Sequence, residues 1–253
     1  MGKREEERGK RENSRPLASL RFATTSDYNE NLSTLIELIE QTPVNAIVVA
    51  PEVCLTNFDY DNFDAAADFT SEALDALFGI LGERTLIITL IEQRSDGIYN
   101  VAKVLQRGKV IHEQAKAHLF AFGGEHDYFS EGSDDEIVLF DVDGIRMGIV
   151  ICFELRFKEL WKKLEGADLI AIPAQWGKLR SDNFVTLTEA IAIINQCYVV
   201  ASDTSNEEMT GQSGIITPFG VTTRNGNKPC LTLPYDQKEV RKMRRYMDVG
   251  IAQ

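Results

Sequence analysis

Apolar residues recur along this chain with two alternating periods, one typical of helices and one typical of strands. Residues 28–41, for example, carry apolar side chains at helical spacing, and Ser26 or Asp27 can cap that helix. Further helices are predicted over residues 71–81, 154–165 and 183–195. Strands are predicted over residues 17–24, 46–50, 85–91, 99–105, 110–113, 137–142, 145–151, 169–173 and 198–202.

Two of the connections between these strands are typical of hairpins. Asp143-Gly144 joins the sixth and seventh predicted strands, and this dipeptide is a strong short-range hairpin signal. Gln-Arg-Gly-Lys at 106–109 joins the fourth and fifth strands. The chain has no internal repeat, and its order of helices and strands fits two β-sheets covered by helices.

Length and charge restrict the class of protein. A chain of 253 residues, of which 43% are hydrophobic, can bury the core of one large α/β domain. The formal net charge of −12 argues against nucleic acid or an anionic membrane surface as a partner. No run of about eighteen apolar residues is present, so a transmembrane span is not expected.

The cysteines and histidines give no sign of a disulfide framework or a metal site. The four cysteines, at 54, 152, 197 and 230, form no CxxC pair, and the histidines at 112, 118 and 126 add no zinc-ligand spacing. We therefore expect no bound metal, and the default location is a reducing cytoplasm.

Residues 1–16 differ from the rest of the chain. They form a mixed-charge segment of Lys, Arg and Glu without an apolar centre, which does not resemble a secretory signal. We interpret them as a disordered, solvated tail or an artificial extension, and we assign residues 17–253 to a single domain.

The candidate chemistry begins at Cys152. The predicted strand 145–151 ends at this thiol, and a charged, helix-favouring segment follows at once. A thiol at such a corner stands beside a helix N-terminus, whose partial positive charge is expected to lower the pKa of the thiol. The alternative interpretation is a buried structural cysteine, which is a common role of free Cys.

Two further polar residues follow other predicted strands. Glu52 comes just after the strand 46–50, and Lys116 follows the strand 110–113. Each residue alone is more often structural or solvated, but strands that share a sheet edge can bring the three side chains together. Such a set would supply a base, a cationic oxyanion stabiliser and a nucleophile.

A series of motifs then gives a resemblance to a known family. The motifs are Pro51-Glu52, Lys116-Ala-His-Leu-Phe, Phe122-Gly-Gly-Glu125-His-Asp, Cys152-Phe-Glu-Leu-Arg-Phe, the segment 166–176, Asn195-Gln-Cys-Tyr-Val-Val200 and the segment 211–220. In this order they resemble the nitrilase, or carbon–nitrogen hydrolase, superfamily and its amidase-like branch. The resemblance implies a four-layer α-β-β-α sandwich.

The resemblance also implies a cysteine hydrolase that needs no metal or organic cofactor. Cys152 would attack a primary amide after Glu52 takes its proton, and Lys116 with the backbone N–H of Phe153 would stabilise the oxyanion. Ammonia would leave, and water would convert the resulting thioester to a carboxylic acid. Glu125 would orient Lys116 or the substrate nitrogen.

Two departures from the family pattern affect this assignment. Position 154 is Glu, as in true nitrilases, whereas amidase branches carry Asp there, although the following Leu-Arg-Phe is amidase-like. In the helix 183–195, Ile191 and Ile194 replace the charged residues of the family's Arg-Ala-x-Glu-Asn sequence. Such a replacement of an internal ion pair need not cost stability.

The residues around the substrate have two interpretations each. Phe122, Phe153 and Trp176 either wall the pocket or belong to the core. Arg156 either holds a substrate carboxylate or forms a structural ion pair. Small ω-amides, aliphatic amides, N-carbamoyl amines and nitriles are all open as substrates.

Three rival functions are also open. A true nitrilase would act on nitriles, a Cys–His hydrolase would use His118 or His126 as its base, and a non-catalytic scaffold would keep only the fold. The complete set of Glu52, Lys116 and Cys152 argues against the scaffold, because a binding module needs no such set.

The resemblance finally implies a homodimer or a larger assembly built from dimers. Residues 190–194 are all Ile or Ala, so the helix 183–195 is apolar nearly all round. Such a helix is either enclosed within the domain or buried in an interface. The helix 154–165 is the other candidate surface.

Overall fold

The computed structural model describes residues 15–251, which form twelve strands and five α-helices. The strands are β1 (Pro16–Leu20), β2 (Ile47–Val49), β3 (Thr85–Arg94), β4 (Gly97–Gln106), β5 (Lys109–Ala115), β6 (Phe140–Val142), β7 (Ile145–Ile149), β8 (Leu169–Ala174), β9 (Tyr198–Asp203), β10 (Gly214–Ile216), β11 (Thr222–Arg224) and β12 (Cys230–Pro234). The helices are α1 (Tyr28–Glu40), α2 (Phe63–Leu81), α3 (Lys158–Lys163), α4 (Ser181–Asn195) and α5 (Gln237–Tyr246).

The strands form two six-stranded sheets. The first sheet has the order β12-β1-β2-β3-β4-β5, and the second has the order β11-β10-β9-β8-β7-β6. The strands β1, β2 and β3 are parallel in the first sheet, as are β7, β8 and β9 in the second. Helices make the connections between these parallel strands, so several strands of each sheet end at a common carboxyl edge.

Three apolar layers hold the sheets and helices together. In β2, Ile47 and Val49 belong to the core cluster that joins the two sheets, whereas Val48 belongs to the cluster beneath α1 and α2. This alternation follows from the two-residue period of a strand, and burial on both faces explains why β2 is apolar throughout. On the second sheet, α4 packs through Phe184 and Ile191. The predicted four-layer α-β-β-α sandwich is confirmed.

Both predicted hairpins are present. Arg107 and Gly108 connect β4 to β5 with φ of +47° and +73°, and Asp143 and Gly144 connect β6 to β7 with +52° and +84°. Positive φ at both central residues is the geometry of a two-residue type I′ turn, which matches the twist of the strands.

Several element boundaries differ from the prediction. The helix predicted over residues 71–81 begins earlier, at Phe63. The prediction missed its first turns because they are rich in alanine and give only a weak apolar signal. The helix predicted over 154–165 is instead a 3₁₀ turn, Cys152–Arg156, followed by the short α3. The strands β10 to β12 and the helix α5 were not predicted, since these strands are short and α5 is mostly charged.

The boundary of the charged N-terminal segment also needs a correction. Residues 1–14 lie outside the described residues, so the tail stays a prediction there, but Pro16 begins β1. Arg15 is buried, and its guanidinium donates to Asp143 at 2.6 Å and to the carbonyl of Asn45 at 2.9 Å. Its charge resembles that of the preceding segment, which is why the sequence pattern did not separate them. No helix within residues 15–251 has the length and apolarity to cross a membrane.

Candidate active site

Four of the predicted site residues converge where the carboxyl edges of the two sheets meet. In the first sheet, Glu52 follows β2 and Lys116 follows β5 directly. In the second sheet, Cys152 follows β7. Glu125 lies in a 3₁₀ turn, Glu125–Asp127, in the loop after Lys116. The site is therefore built between the sheets, and neither sheet alone contains it.

Lys116 occupies the centre of this cluster. Its Nζ donates to Glu52 Oε1 at 2.7 Å and to Glu125 Oε1 at 2.8 Å, and its side chain is completely buried. Burial alone would lower the pKa of Lys116, but the two carboxylates outweigh burial and raise it above its ordinary value. The lysine is therefore a fixed cation at neutral pH.

Glu52 is held in place from both sheets. Its Oε1 also accepts a hydrogen bond from Asn100 Nδ2 at 2.9 Å, and its Oε2 accepts from the backbone N–H of Gln175 at 3.1 Å. The Gln175 side chain donates to the carbonyl of Glu52 at 3.0 Å. Both carboxylate oxygens therefore have hydrogen-bond donors, which fix the side chain in one orientation.

Glu125 is the second carboxylate on Lys116. Its Oε2 accepts from the backbone N–H of Phe120 at 3.0 Å, so both of its oxygens have donors. Burial raises the pKa of Glu125, while Lys116 acts in the opposite direction. Its contacts fix the lysine ammonium in one position.

Cys152 has an unusual backbone and a neutral thiol. Its φ is +45°, a conformation that costs a non-glycine residue about 1 kcal/mol or more. Burial, followed by the Glu52 carboxylate, raises the pKa of the thiol well above its ordinary value. The predicted lowering of this pKa is therefore wrong, because burial and acidic neighbours outweigh a 3₁₀ turn of five residues. The free protein holds a thiol that needs a base.

The other three cysteines lie elsewhere. Cys54 is fully buried in the cluster beneath α1 and α2, although it is close to Glu52 in sequence. Cys197 is also fully buried, and Cys230 is partly exposed. None of them lines the pocket that contains Cys152.

A narrow pocket opens onto the Cys152 thiol. It encloses about 20 Å³, which is room for about one water molecule. Its lining residues are Phe120, Cys152, Phe153, Arg156, Gln175, Trp176 and Arg180. Phe153 and Trp176 therefore lie where a pocket wall was predicted. Phe122 does not, because its 3₁₀ turn directs the ring outward and leaves it 89% exposed.

Two arginines stand in the pocket wall on aromatic supports. The guanidinium of Arg156 lies 5.0 Å from the ring centre of Trp176 and donates to Asn183 Oδ1 at 3.0 Å. The guanidinium of Arg180 lies 5.1 Å from the ring centre of Phe120. The hydrogen-bond partner of Arg156 is thus an amide rather than the carboxylate of a structural ion pair. Sequence reasoning missed Arg180.

The two histidines that were considered as bases have other partners. His118 stacks on the Phe157 ring at 3.9 Å and pairs with Asp134 at 3.0 Å. His126 lies at the surface, 3.7 Å from Glu131. Glu52 is among the groups that act on the Cys152 thiol, whereas neither histidine is, so Glu52 is better placed to serve as a base.

Buried polar residues that sequence reasoning missed support the site. Asn100 lies within the buried part of β4 and donates to Glu52. The signal that could have identified Asn100 is the presence of a polar residue inside a buried strand. Asp203 ends β9, and it accepts from the backbone N–H of Trp176 at 2.8 Å and from that of Gly211 at 2.9 Å. Burial raises the pKa of Asp203 to about 7. Glu52 was identified as a polar residue at the end of an apolar strand, and the same signal could have identified Asp203.

This cluster combines a thiol with an ammonium and two carboxylates, and comparison with known proteins identifies the family. Residues 16–243 match the sequence model of the carbon-nitrogen hydrolase family. The chain is similar to the deaminated glutathione amidase of Escherichia coli O157:H7, with 31% identity over 253 residues that cover 92% of this chain and 95% of that protein. It is also similar to the 2-oxoglutaramate amidase of Bacillus subtilis strain 168, with 31% identity over 212 residues that cover 79% and 81%.

Solved structures share the fold. A carbon–nitrogen hydrolase superfamily protein from Xanthomonas campestris has a TM-score of 0.82 at 22% identity, covering 93% of this chain and 95% of that chain. A nitrilase superfamily member from Saccharomyces cerevisiae has a TM-score of 0.79 at 21% identity, covering 94% and 95%. The chain belongs to the carbon–nitrogen hydrolase family, and its predicted place in the amidase-like branch of the nitrilase superfamily is confirmed.

Replacing the buried lysine should test how strongly the cluster depends on its charge. Lys116→Met leaves two buried carboxylates without their cation, so we expect a loss of roughly 3–5 kcal/mol in the free energy of unfolding at pH 8, measured with urea. The loss should be smaller at pH 5. Without the cation, burial raises the pKa of the two carboxylates in the folded state. The cost of ionising them therefore destabilises the folded protein only as the pH rises.

Lys103→Met is the matched control for this substitution. Lys103 also pairs with two carboxylates, Glu92 at 2.5 Å and Glu113 at 2.8 Å, but both of these are partly exposed to water. We expect a loss of about 1 kcal/mol or less there. Equal losses at the two lysines would show that the central cluster carries no special burial penalty.

Proposed function

We propose that this carbon–nitrogen hydrolase is an amidase that acts on a small linear amide through a thioester on Cys152. The observation that carries the proposal is the buried contact of Glu52 and Glu125 with Lys116 beside the Cys152 thiol. The names of the two amidase relatives support the same reaction class. A cytoplasmic location is part of the proposal, and the four free cysteines support it.

The first half of the reaction forms the thioester. Glu52 removes the proton from Cys152 as the sulfur attacks the amide carbon, and the carbonyl electron pair moves onto the oxygen. Lys116 Nζ and the backbone N–H of Phe153 stabilise this oxyanion, and donors of this kind are typically worth about 2.7–4 kcal/mol. The oxyanion then collapses, the C–N bond breaks, and Glu52 returns its proton to the nitrogen, which leaves as ammonia.

The second half releases the product. Water attacks the thioester carbon while Glu52 takes one of its protons. The new tetrahedral intermediate collapses, the C–S bond breaks, and the proton on Glu52 returns to the sulfur. The products are a carboxylic acid and the enzyme in its resting thiol form. The neutral resting thiol requires a base, and Glu52 is the carboxylate that interacts with this thiol.

Removing the nucleophile should abolish this activity without affecting the fold. We expect Cys152→Ala to reduce ammonia release to the background rate, because the thioester can no longer form. Glu52→Gln should lower kcat by orders of magnitude while KM changes little. Cys230→Ser is the control, since this partly exposed thiol lies outside the pocket, and it should keep wild-type rates. Full activity in Cys152→Ala would refute the proposal.

The pocket favours an amide that carries a carboxylate at its far end. Among residues 15–251, Arg156 and Arg180 are the charged side chains that line the pocket, and no carboxylate of that range lines it. Arginine binds carboxylates through paired hydrogen bonds, and the aromatic supports hold both guanidinium groups near the thiol. We therefore propose ω-amides of dicarboxylic acids as the substrate class. Neutral aliphatic amides, N-carbamoyl amines and nitriles are the competing classes.

Arg180 allows this substrate class to be tested. Arg180→Gln should lower kcat/KM for glutaramate about 10- to 100-fold, because a charge-assisted contact is lost. The same variant should change kcat/KM for neutral butyramide less than threefold. Lys178→Gln is the matched control, since this exposed lysine lies in the same turn but not in the pocket. Equal losses on both amides in Arg180→Gln would exclude carboxylate recognition by Arg180.

The outer face of α4 supports a homodimer. Ile193 and Ile194 are 47% and 56% exposed, and Phe219 and Val221 on the neighbouring turn are 38% and 61% exposed. The turn lies against the helix at Gly220, between Phe219 and Val221. A side-chain Cβ at this glycine would lie only 3.1 Å from Ile193. The helix is therefore not enclosed within the domain. An exposed apolar patch of this kind fits a self-complementary two-fold contact with a second copy.

Light scattering tests the dimer. We expect a mass near twice 28.4 kDa at micromolar concentration. Ile194→Glu should shift the mass to that of a monomer, because it places a charge in the contact. Val44→Glu, at a 71% exposed site in the loop after α1, should leave the mass unchanged. A wild-type monomer would contradict the proposal.

A further inference from the structure

Glu154 lies close to the nucleophile but does not line the pocket. It is two positions after Cys152 in the 3₁₀ turn Cys152–Arg156, and its side chain is completely buried. The hydrogen bonds that it accepts come from the backbone rather than from a cation. A buried carboxylate with such partners is costly, so its contacts deserve a physical explanation.

The two oxygens of Glu154 bind two different catalytic segments. Oε1 accepts from the backbone N–H of Ala117 at 2.7 Å, and Oε2 accepts from that of Ile151 at 2.7 Å. Ala117 follows Lys116, and Ile151 precedes Cys152. One segment extends from the first sheet and the other from the second. A single side chain therefore spans the gap between the lysine and the nucleophile.

The nucleophile needs such support because its backbone is strained. Cys152 has a φ of +45°, and a non-glycine residue stays in that region only when its surroundings hold it there. The bond from the Ile151 N–H to Glu154 holds the residue that precedes the strained one. A second bond, from the backbone N–H of Glu154 to the carbonyl of Ile151 at 3.0 Å, holds the peptide that joins Ile151 to Cys152.

We propose that Glu154 is a positioning residue, which fixes the position of the Cys152 thiol relative to the Lys116 ammonium. This role rests on the proposed function, in which the sulfur attacks a carbonyl carbon whose oxygen meets Lys116. A displacement of about 1 Å between two such groups can cost about 100-fold in rate. Glu154 would thus act on kcat without touching the substrate.

The charge of Glu154 gives this role a pH dependence. Burial raises its pKa to about 7, with Lys116 acting to lower it and Glu52 acting to raise it. The carboxylate accepts both backbone hydrogen bonds, whereas the protonated form turns one acceptor oxygen into a donor. The two backbone hydrogen bonds to Glu154 are therefore both present above a pH of about 7, and they weaken as the pH falls below that value.

The test compares Glu154→Gln and Glu154→Asp with Glu159→Gln, an exposed glutamate in α3. We expect Glu154→Gln to lower kcat about 10- to 100-fold with KM within threefold. The fall in kcat as pH drops through about 7 should be absent in this variant. Glu154→Asp keeps the charge on a shorter side chain. Its kcat should be lower than that of wild type and should still fall as the pH drops through about 7. Glu159→Gln should match wild type.

A second readout needs no amide substrate. In a Cys230→Ser background, the rate at which iodoacetamide modifies Cys152 is followed by peptide mapping, and Glu154→Gln should slow it several-fold. If wild type hydrolyses no amide, the proposed function fails while these alkylation rates still decide the role of Glu154. Wild-type kcat and alkylation rate in a folded Glu154→Gln would overturn the inference. If that variant does not fold, wild-type values in Glu154→Asp would overturn it.

Discussion

The burial of Lys116 between Glu52 and Glu125 is the constraint on which the rest of the site depends. Two carboxylates and one ammonium lie together out of contact with water, so every remaining oxygen needs a donor. Glu52 receives donors from Asn100 and Gln175, and Glu125 receives one from Phe120. These donors come from both sheets and from the intervening loop, so the charge cluster also fixes how the two sheets meet.

The same cluster determines the state of the nucleophile. Burial and the Glu52 carboxylate raise the pKa of the Cys152 thiol and so favour its protonated form. In the proposed reaction the attack is therefore coupled to proton transfer, with Glu52 as the proposed carrier of the proton between sulfur, nitrogen and water. The pocket lining carries the cationic side chains of Arg156 and Arg180. The carboxylates of Glu52 and Glu125 are instead buried against Lys116.

The sequence predicted the parts of the site that a strand presents at its end. Glu52 and Cys152 each follow an apolar run, and Lys116 follows a strand-like segment. These positions made their convergence at a sheet edge possible, and the ordered family motifs made it predictable. The direction of the Cys152 pKa shift was not predictable, because it depends on neighbours from distant segments. Phe122 was misplaced because short 3₁₀ turns leave no periodic pattern from which a side-chain direction can be inferred. The helix predicted after Cys152 is broken by the strained turn, which no propensity indicates.

The proposed reaction depends most directly on a covalent intermediate at Cys152. Rapid mixing of the protein with glutaramate, acid quenching and intact-mass measurement would detect it. We expect an adduct on Cys152 whose added mass equals the amide less ammonia, and hydroxamate as a product when hydroxylamine competes with water. Ammonia release with neither an adduct nor hydroxamate would contradict the proposed reaction, since water would then attack the amide directly.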